Sequence, residues 1–220
     1  MSIIPFYGVD RPDLFAIERA AMDRPGRVIE RLDRLLPAGT IADIGAGDGF
    51  TAERLANPQR RIVAVEPARA MIDRSRHRTW VQADAEALPF GNGSLDAAYA
   101  TWAYFFSRGP LDPTPGLEEL HRTVKPGGTI VIADNAGDDE FCAFSQHDIS
   151  ADPRYWRGRG FGIEIVDTVF AFETAADAWR LLDFYFDGIG SAPPTQLTYR
   201  VALFIGVSQG PPALLSDRPP

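Results

Sequence analysis

The sequence predicts an α/β fold: a mostly parallel sheet of seven strands, helices on both its faces, and a helical cap before the first strand. Two observations predict it. From Thr40 to Ala133 short apolar runs alternate with amphipathic stretches, the pattern of parallel strands joined by right-handed crossovers. The first run ends in a glycine loop, Gly45-Ala46-Gly47-Asp48-Gly49, and the second, Arg61 to Val65, is followed by an acid, Glu66. Open parallel sheets bind ligands beyond the carboxyl ends of their strands, and an acid at this place accepts from ribose hydroxyls when the ligand is a nucleotide.

The elements follow in order. Residues 2–10 form an apolar, aromatic arm without a clear period. Pro12 sits in the first turn of a helix running to Met22, where proline is tolerated. Pro25-Gly26 breaks the chain, and Val28, Leu32 and Leu35 recur at helical spacing up to Leu36, so 1–36 reads as a helical cap. Strand 40–45 is followed by helix 50–56, and strand 61–66 by helix 68–76, with His77 facing water amid Arg74, Arg76 and Arg78. A short strand at 79–82 and a strand at 95–100 come next. A helix at 116–124 ends in Lys125-Pro126-Gly127-Gly128, read as a turn, and a strand runs from Thr129 to Ala133. Residues 135–160 interrupt the alternation; they are polar with interspersed aromatics and read as an insertion over the strand ends. Strand 162–172, helix 175–186 and strand 197–207 complete the fold. Residues 211–220, with four prolines and few apolar side chains, are expected to be disordered.

Composition narrows the function. A chain of 220 residues, 45% hydrophobic, can bury one proper core. A formal charge of −8 leaves no basic excess to displace counterions from a polyanion, so a nucleic-acid partner is not expected, while a neutral or cationic small ligand is compatible. The longest apolar run, Ala97 to Phe106, is about half a membrane span, so no membrane association is expected. The first residues carry no secretory pattern, and a single cysteine, Cys142, fits a reducing cytoplasm.

The glycine loop admits two ligands. A hydride-carrying dinucleotide needs glycines spaced G-x-G-x-x-G, whereas here the spacing is G-x-G-x-G and Phe50 stands where the last glycine is needed. Further motifs follow in order: Asp43-Ile44-Gly45-Ala46-Gly47-Asp48-Gly49, Glu66-Pro67 with Met71, Asp84-Ala85-Glu86-Ala87-Leu88-Pro89-Phe90, Ser94-Leu95-Asp96 and Lys125-Pro126-Gly127-Gly128. Together, from about Ile41 to Asp134, they resemble the class I S-adenosylmethionine-dependent methyltransferases, and within these the small-molecule "type 11" branch. The resemblance implies a Rossmann-like sheet, one cofactor-binding domain over residues 1–210, S-adenosylmethionine as cofactor, no metal, and a small-molecule acceptor of specialised metabolism. A homodimer covering the open face is compatible with it. Silent partner subunits and catalysts of cyclisation share the scaffold, so fold alone does not fix the reaction.

The resemblance assigns cofactor contacts to Asp43, Gly45, Ala46, Gly47, Gly49, Glu66, Pro67, Met71, Asp84, Ala85 and Thr101. Glu66 takes the ribose hydroxyls, and Asp84 with the Ala85 amide takes the adenine. Asp43 faces the ammonium end, directly or through water, or caps its own loop. Met71 reads equally as a core residue. For the acceptor, the segment leaving the sheet offers Trp102, Tyr104 and Phe105, joined by Tyr7, Asn135 and Tyr185; simple core packing is the alternative for these aromatics. His147, in the insertion, is the candidate general base, against a surface histidine.

Overall fold

The structure, a computed structural model, describes residues 7–77, 79–108 and 112–210, and for Tyr7 the backbone only. The expected arm before Tyr7 and the expected disordered tail lie outside the described residues.

Three helices precede the sheet: α1 (Tyr7–Asp10), α2 (Pro12–Ala21) and α3 (Arg27–Leu35). They are followed by β1 (Gly39–Ile44), α4 (Phe50–Leu55), β2 (Arg60–Val65), β3 (Trp80–Val81) and β4 (Leu95–Thr101). The remainder comprises α5 (Thr114–Thr123), β5 (Val124–Asn135), α6 (Pro153–Arg157), β6 (Gly162–Ala171), α7 (Ala175–Tyr185) and β7 (Gln196–Val207). The strands form one sheet in the order β3-β2-β1-β4-β5-β7-β6. All pairings from β3 to β5 are parallel, and β7 runs antiparallel to both β5 and β6.

Parallel strands are covered on both faces, which is why Ile41 through Ile44 are buried without alternation. One core joins Leu14, Leu32, Leu55 and Leu181 of the helices on the first face to Ile41, Val131 and Ala133. The other joins Leu117, Leu120 and Trp156 to Ala42, Ile130 and Ile132. Successive residues of β5 thus feed opposite layers, as the two-residue period requires.

Three expectations change. No helix forms over 68–76: a single 3-10 turn at Arg69–Met71 is followed by irregular chain. There the Asp73 carboxylate accepts from the Ser75 amide (2.9 Å) and hydroxyl (2.6 Å), an alternative to helical bonding. His77 consequently turns inward; it is buried, with Nε2 2.9 Å from the Ile62 carbonyl. The segment Lys125-Pro126-Gly127-Gly128 is a bulge inside β5. Leu95 pairs with Val124 and Ala97 with Thr129, so the extra β5 residues loop out. The insertion clads the antiparallel end of the sheet. Phe141 stacks on Phe170 at 4.3 Å, and Trp156 on Phe204 at 4.7 Å. The Phe141 amide also donates to the Thr198 carbonyl (3.3 Å), and the Arg200 amide to Asp139 (2.9 Å). Buried aromatics on either side of β7 decide where this segment lies, so its polar stretches do not determine its path.

Candidate active site

Strand order reverses between β1 and β4, and the carboxyl ends of these two strands open onto a cavity of about 740 Å³. Three walls enclose it: the glycine loop with the segments after β2 and β3, the chain leaving β4, and the N-terminal helices.

The loop after β1 is held to the neighbouring strand, with the Gly45 and Ala46 amides both donating to the Val65 carbonyl (2.9 and 3.0 Å). Gly45 (φ 72°) and Gly47 (φ 57°) are left-handed. A Cβ on Gly45 would come within 2.4 Å of the Ala103 Cβ, so this crossing requires glycine. Gly45, Ala46 and Gly47 line the cavity. Gly49, also left-handed, does not; a Cβ there would meet the Trp80 ring at 2.8 Å, so this glycine serves packing behind the loop.

Glu66 lines the cavity although only 6% exposed, with Oε2 accepting from the Gly47 amide and Oε1 from the Ala68 amide, both at 2.9 Å. Each oxygen keeps a further lone pair. Burial raises the Glu66 pKa above the usual carboxylate value, and the two amides oppose that shift. Pro67, Asp84 and Ala85 line the same region. Asp43 lies beneath the loop, completely buried, outside the lining, and neither carboxylate oxygen has a hydrogen-bond partner. Burial pushes its pKa up to about 7; the nearby Tyr99 hydroxyl counteracts and the Glu66 charge adds to the rise. The buried Tyr99 hydroxyl likewise has no hydrogen-bond partner among the described residues. A buried carboxylate without partners is the kind of group that a ligand or ordered water completes.

After β4, Thr101, Trp102, Tyr104 and Phe106 line the cavity. Trp102 is held in the left-handed region (φ 46°), unusual for a bulky residue, while its amide donates to the Ala133 carbonyl (2.9 Å) and its ring stacks on Tyr199. The Tyr104 hydroxyl donates to Glu86 at 2.8 Å. Phe105, expected in the acceptor pocket, instead points into the second core, and its neighbour Phe106 lines the cavity.

The third wall was not legible in the sequence. Phe15, Arg19 and Met22 face the cavity, with Ile29 of α3. Arg19 forms an ion pair with Asp48 of the glycine loop and lies over the Phe15 and Phe50 rings (5.7 and 5.5 Å). Arg54 stacks closer on Phe50, at 3.9 Å. The i, i+4 spacing of Phe15 and Arg19 puts them on one face of α2, the only signal the sequence carried.

Asn135, His147 and Tyr185 are not in this cavity. Asn135 is a strap, accepting from the Tyr199 hydroxyl (2.6 Å) and donating to the Ile149 carbonyl (3.3 Å). Tyr185 packs edge-on against Phe141, and His147 is exposed in the insertion, which packs against β7 and does not line the cavity. Met71 is buried outside the lining. Among the described residues no cluster of His, Cys, Asp or Glu is arranged for a metal, and no helix is long and apolar enough to cross a membrane.

Residues 42–132 match the family described as "Methyltransferase domain". These residues are a class I methyltransferase domain. A demethylmenaquinone methyltransferase of Clavibacter sepedonicus is 37% identical over 101 residues, which are 43% of this chain and 40% of that protein. The chain spans less than half the length of the curated relatives it matches. Among solved structures, an S-adenosylmethionine-dependent methyltransferase of Thermotoga maritima has the same fold, with a TM-score of 0.58 and 20% identity over 92% of this chain and 96% of that one. The [4+2]-cyclase SpnF is a further neighbour, at TM-score 0.53 and 18% identity over 84% and 80%. The matched segment ends at Ile132, and the cavity wall built by α2 and α3 lies outside it.

Proposed function

We propose that this protein transfers a methyl group from S-adenosylmethionine to a small-molecule acceptor. The observation that carries the reading is Glu66: a carboxylate fixed by two loop amides, with lone pairs left over, beside bare backbone at Gly45 and Gly47. Glu66 would accept from the ribose hydroxyls, Asp84 and Ala85 would meet the adenine, and the unpartnered Asp43 would attract the cationic amino-acid end through water. When bound, the cofactor supplies a methyl group on a cationic sulfur, which leaves as a neutral thioether when an acceptor lone pair takes the carbon.

The protein's contribution is then position and exclusion of water. The chain after β4 and the α2 wall face each other across the space the cofactor leaves, which holds an acceptor in line and removes solvent from the approach. No histidine lines the cavity among the described residues, so the reading uses no histidine base. The single cysteine fits a cytoplasmic enzyme.

Titration with S-adenosylmethionine and its demethylated product, followed by transfer of labelled methyl to candidate acceptors, tests the proposal. Absence of binding at saturating ligand rejects it. The likeness to a [4+2]-cyclase favours one second reading, in which the cofactor is bound but its methyl is not consumed. Product formed without incorporated label would select that reading.

A further inference from the structure

The cavity is lopsided in both polarity and charge. Apart from the residues assigned to the cofactor, its walls carry a run of apolar and aromatic side chains: Phe15, Met22 and Ile29 on the helical side, Trp102 and Phe106 on the strand side. Among the described residues seven lining side chains are carboxylates and only two, Arg19 and Arg54, are cations. Both cations already have partners. Arg19 is paired with Asp48, and Arg54, an exposed lining residue, lies on the Phe50 ring. The helical side contributes the carboxylates Asp10, Glu18 and Asp23 and one cation, the paired Arg19. Asp23 is buried and held, accepting from the Arg27 and Val28 amides (3.0 and 2.9 Å) and the Thr168 hydroxyl (2.6 Å), so it cannot swing away from an incoming ligand.

We propose that the acceptor is an aromatic phenol or amine carrying no carboxylate or phosphate, seated between the α2–α3 wall and the chain after β4. This rests on the methyltransferase reading of the cavity. An aromatic ring gains from apolar burial and edge contacts with these side chains. A carboxylate in the same place would lose its hydration, find among the described residues no lining cation without a partner, and face Asp10 and Asp23. In the transfer itself the acceptor oxygen or nitrogen forms the new bond to carbon, the carbon–sulfur bond breaks with its electron pair kept by sulfur, and the acceptor proton passes to water.

The test uses the full chain saturated with S-adenosylhomocysteine and three probes of one shape: 2-naphthol, 2-(2-naphthyl)ethylamine and 2-naphthoic acid, titrated calorimetrically. The expected result is that the phenol and the amine bind at least about tenfold more tightly than the acid. In Met22→Lys the new cation should close that gap by improving the acid alone; Phe15→Lys serves the same purpose should Met22→Lys lower the melting temperature. Equal or tighter binding of the acid to the unaltered protein overturns the proposal, as does failure of all three probes to bind. Failure of S-adenosylhomocysteine itself to bind sinks the methyltransferase reading instead, so the two failures are told apart.

Discussion

Replacing Glu66 by alanine should weaken cofactor binding by one to two orders of magnitude. The carboxylate is 6% exposed and spends one lone pair of each oxygen on the Gly47 and Ala68 amides. A hydrogen bond to a charged group contributes about 1.5–3 kcal/mol net, so losing even one to a ribose hydroxyl corresponds to about 10- to 150-fold in Kd. The two stranded amides add to this by loosening the loop. Glu66→Gln separates the contributions: its carbonyl oxygen can keep one amide, but its amino group faces the other donor. Calorimetric titration with S-adenosylhomocysteine should rank the unaltered protein above Glu66→Gln, and that above Glu66→Ala. Because burial raises the Glu66 pKa, affinity should begin to fall at a higher pH than an ordinary glutamate would give, as protonation removes the acceptor. Unchanged affinity in Glu66→Ala, with the fold intact by circular dichroism, would refute the assignment.

Other outcomes follow from the same coordinates. Asp43 has a folded-state pKa raised to about 7, so its contribution to stability is present below the ordinary carboxylate value and is lost as pH rises through about 7; Asp43→Asn should flatten that decline in melting temperature between pH 5 and pH 8. Gly45→Ala should lower both stability and cofactor affinity, because φ 72° costs about 1–2 kcal/mol and its Cβ meets Ala103 at 2.4 Å, whereas Gly26→Ala, at φ 76° with open space around it, should cost only the backbone term in a denaturant titration. Trp156→Ala should destabilise the protein by about 3–5 kcal/mol in urea unfolding, since the ring is wholly buried against Phe161 and Phe204. His147→Ala should leave the rate of methyl transfer unchanged, given its exposed place away from the cavity; a large loss in kcat would show that the insertion reaches the site.

What the sequence could show was whatever is encoded locally. The glycine loop, Glu66 and the Asp84 segment sit at strand ends fixed by a short repeating pattern, and the structure brings Gly45, Gly47, Glu66, Asp84 and Ala85 to one cavity. The helix expected at 68–76 failed because hydrophobic spacing does not reveal that Asp73 turns its own backbone. The fate of residues 135–160 was hidden for a different reason. Which cavity or core receives Phe141 and Trp156 depends on where β6 and β7 lie, and those strands come later in the chain. The α2 wall is the same case: Arg19 meets Asp48 only because the tertiary fold lays α2 beside the glycine loop.

The position of β7 bears on synthesis as well. Among the described strands it emerges last from a ribosome, yet it fills the slot between β5 and β6. Until residues 196–207 clear the exit tunnel, the nascent polypeptide carries two raw ladders waiting for one partner, Trp156 has no Phe204 to lie on, and Phe141 has no Tyr199 beside it. Chaperone dependence during translation should therefore end abruptly with the arrival of this hairpin's second arm, and stalling just upstream of it should be the most aggregation-prone moment in the protein's production.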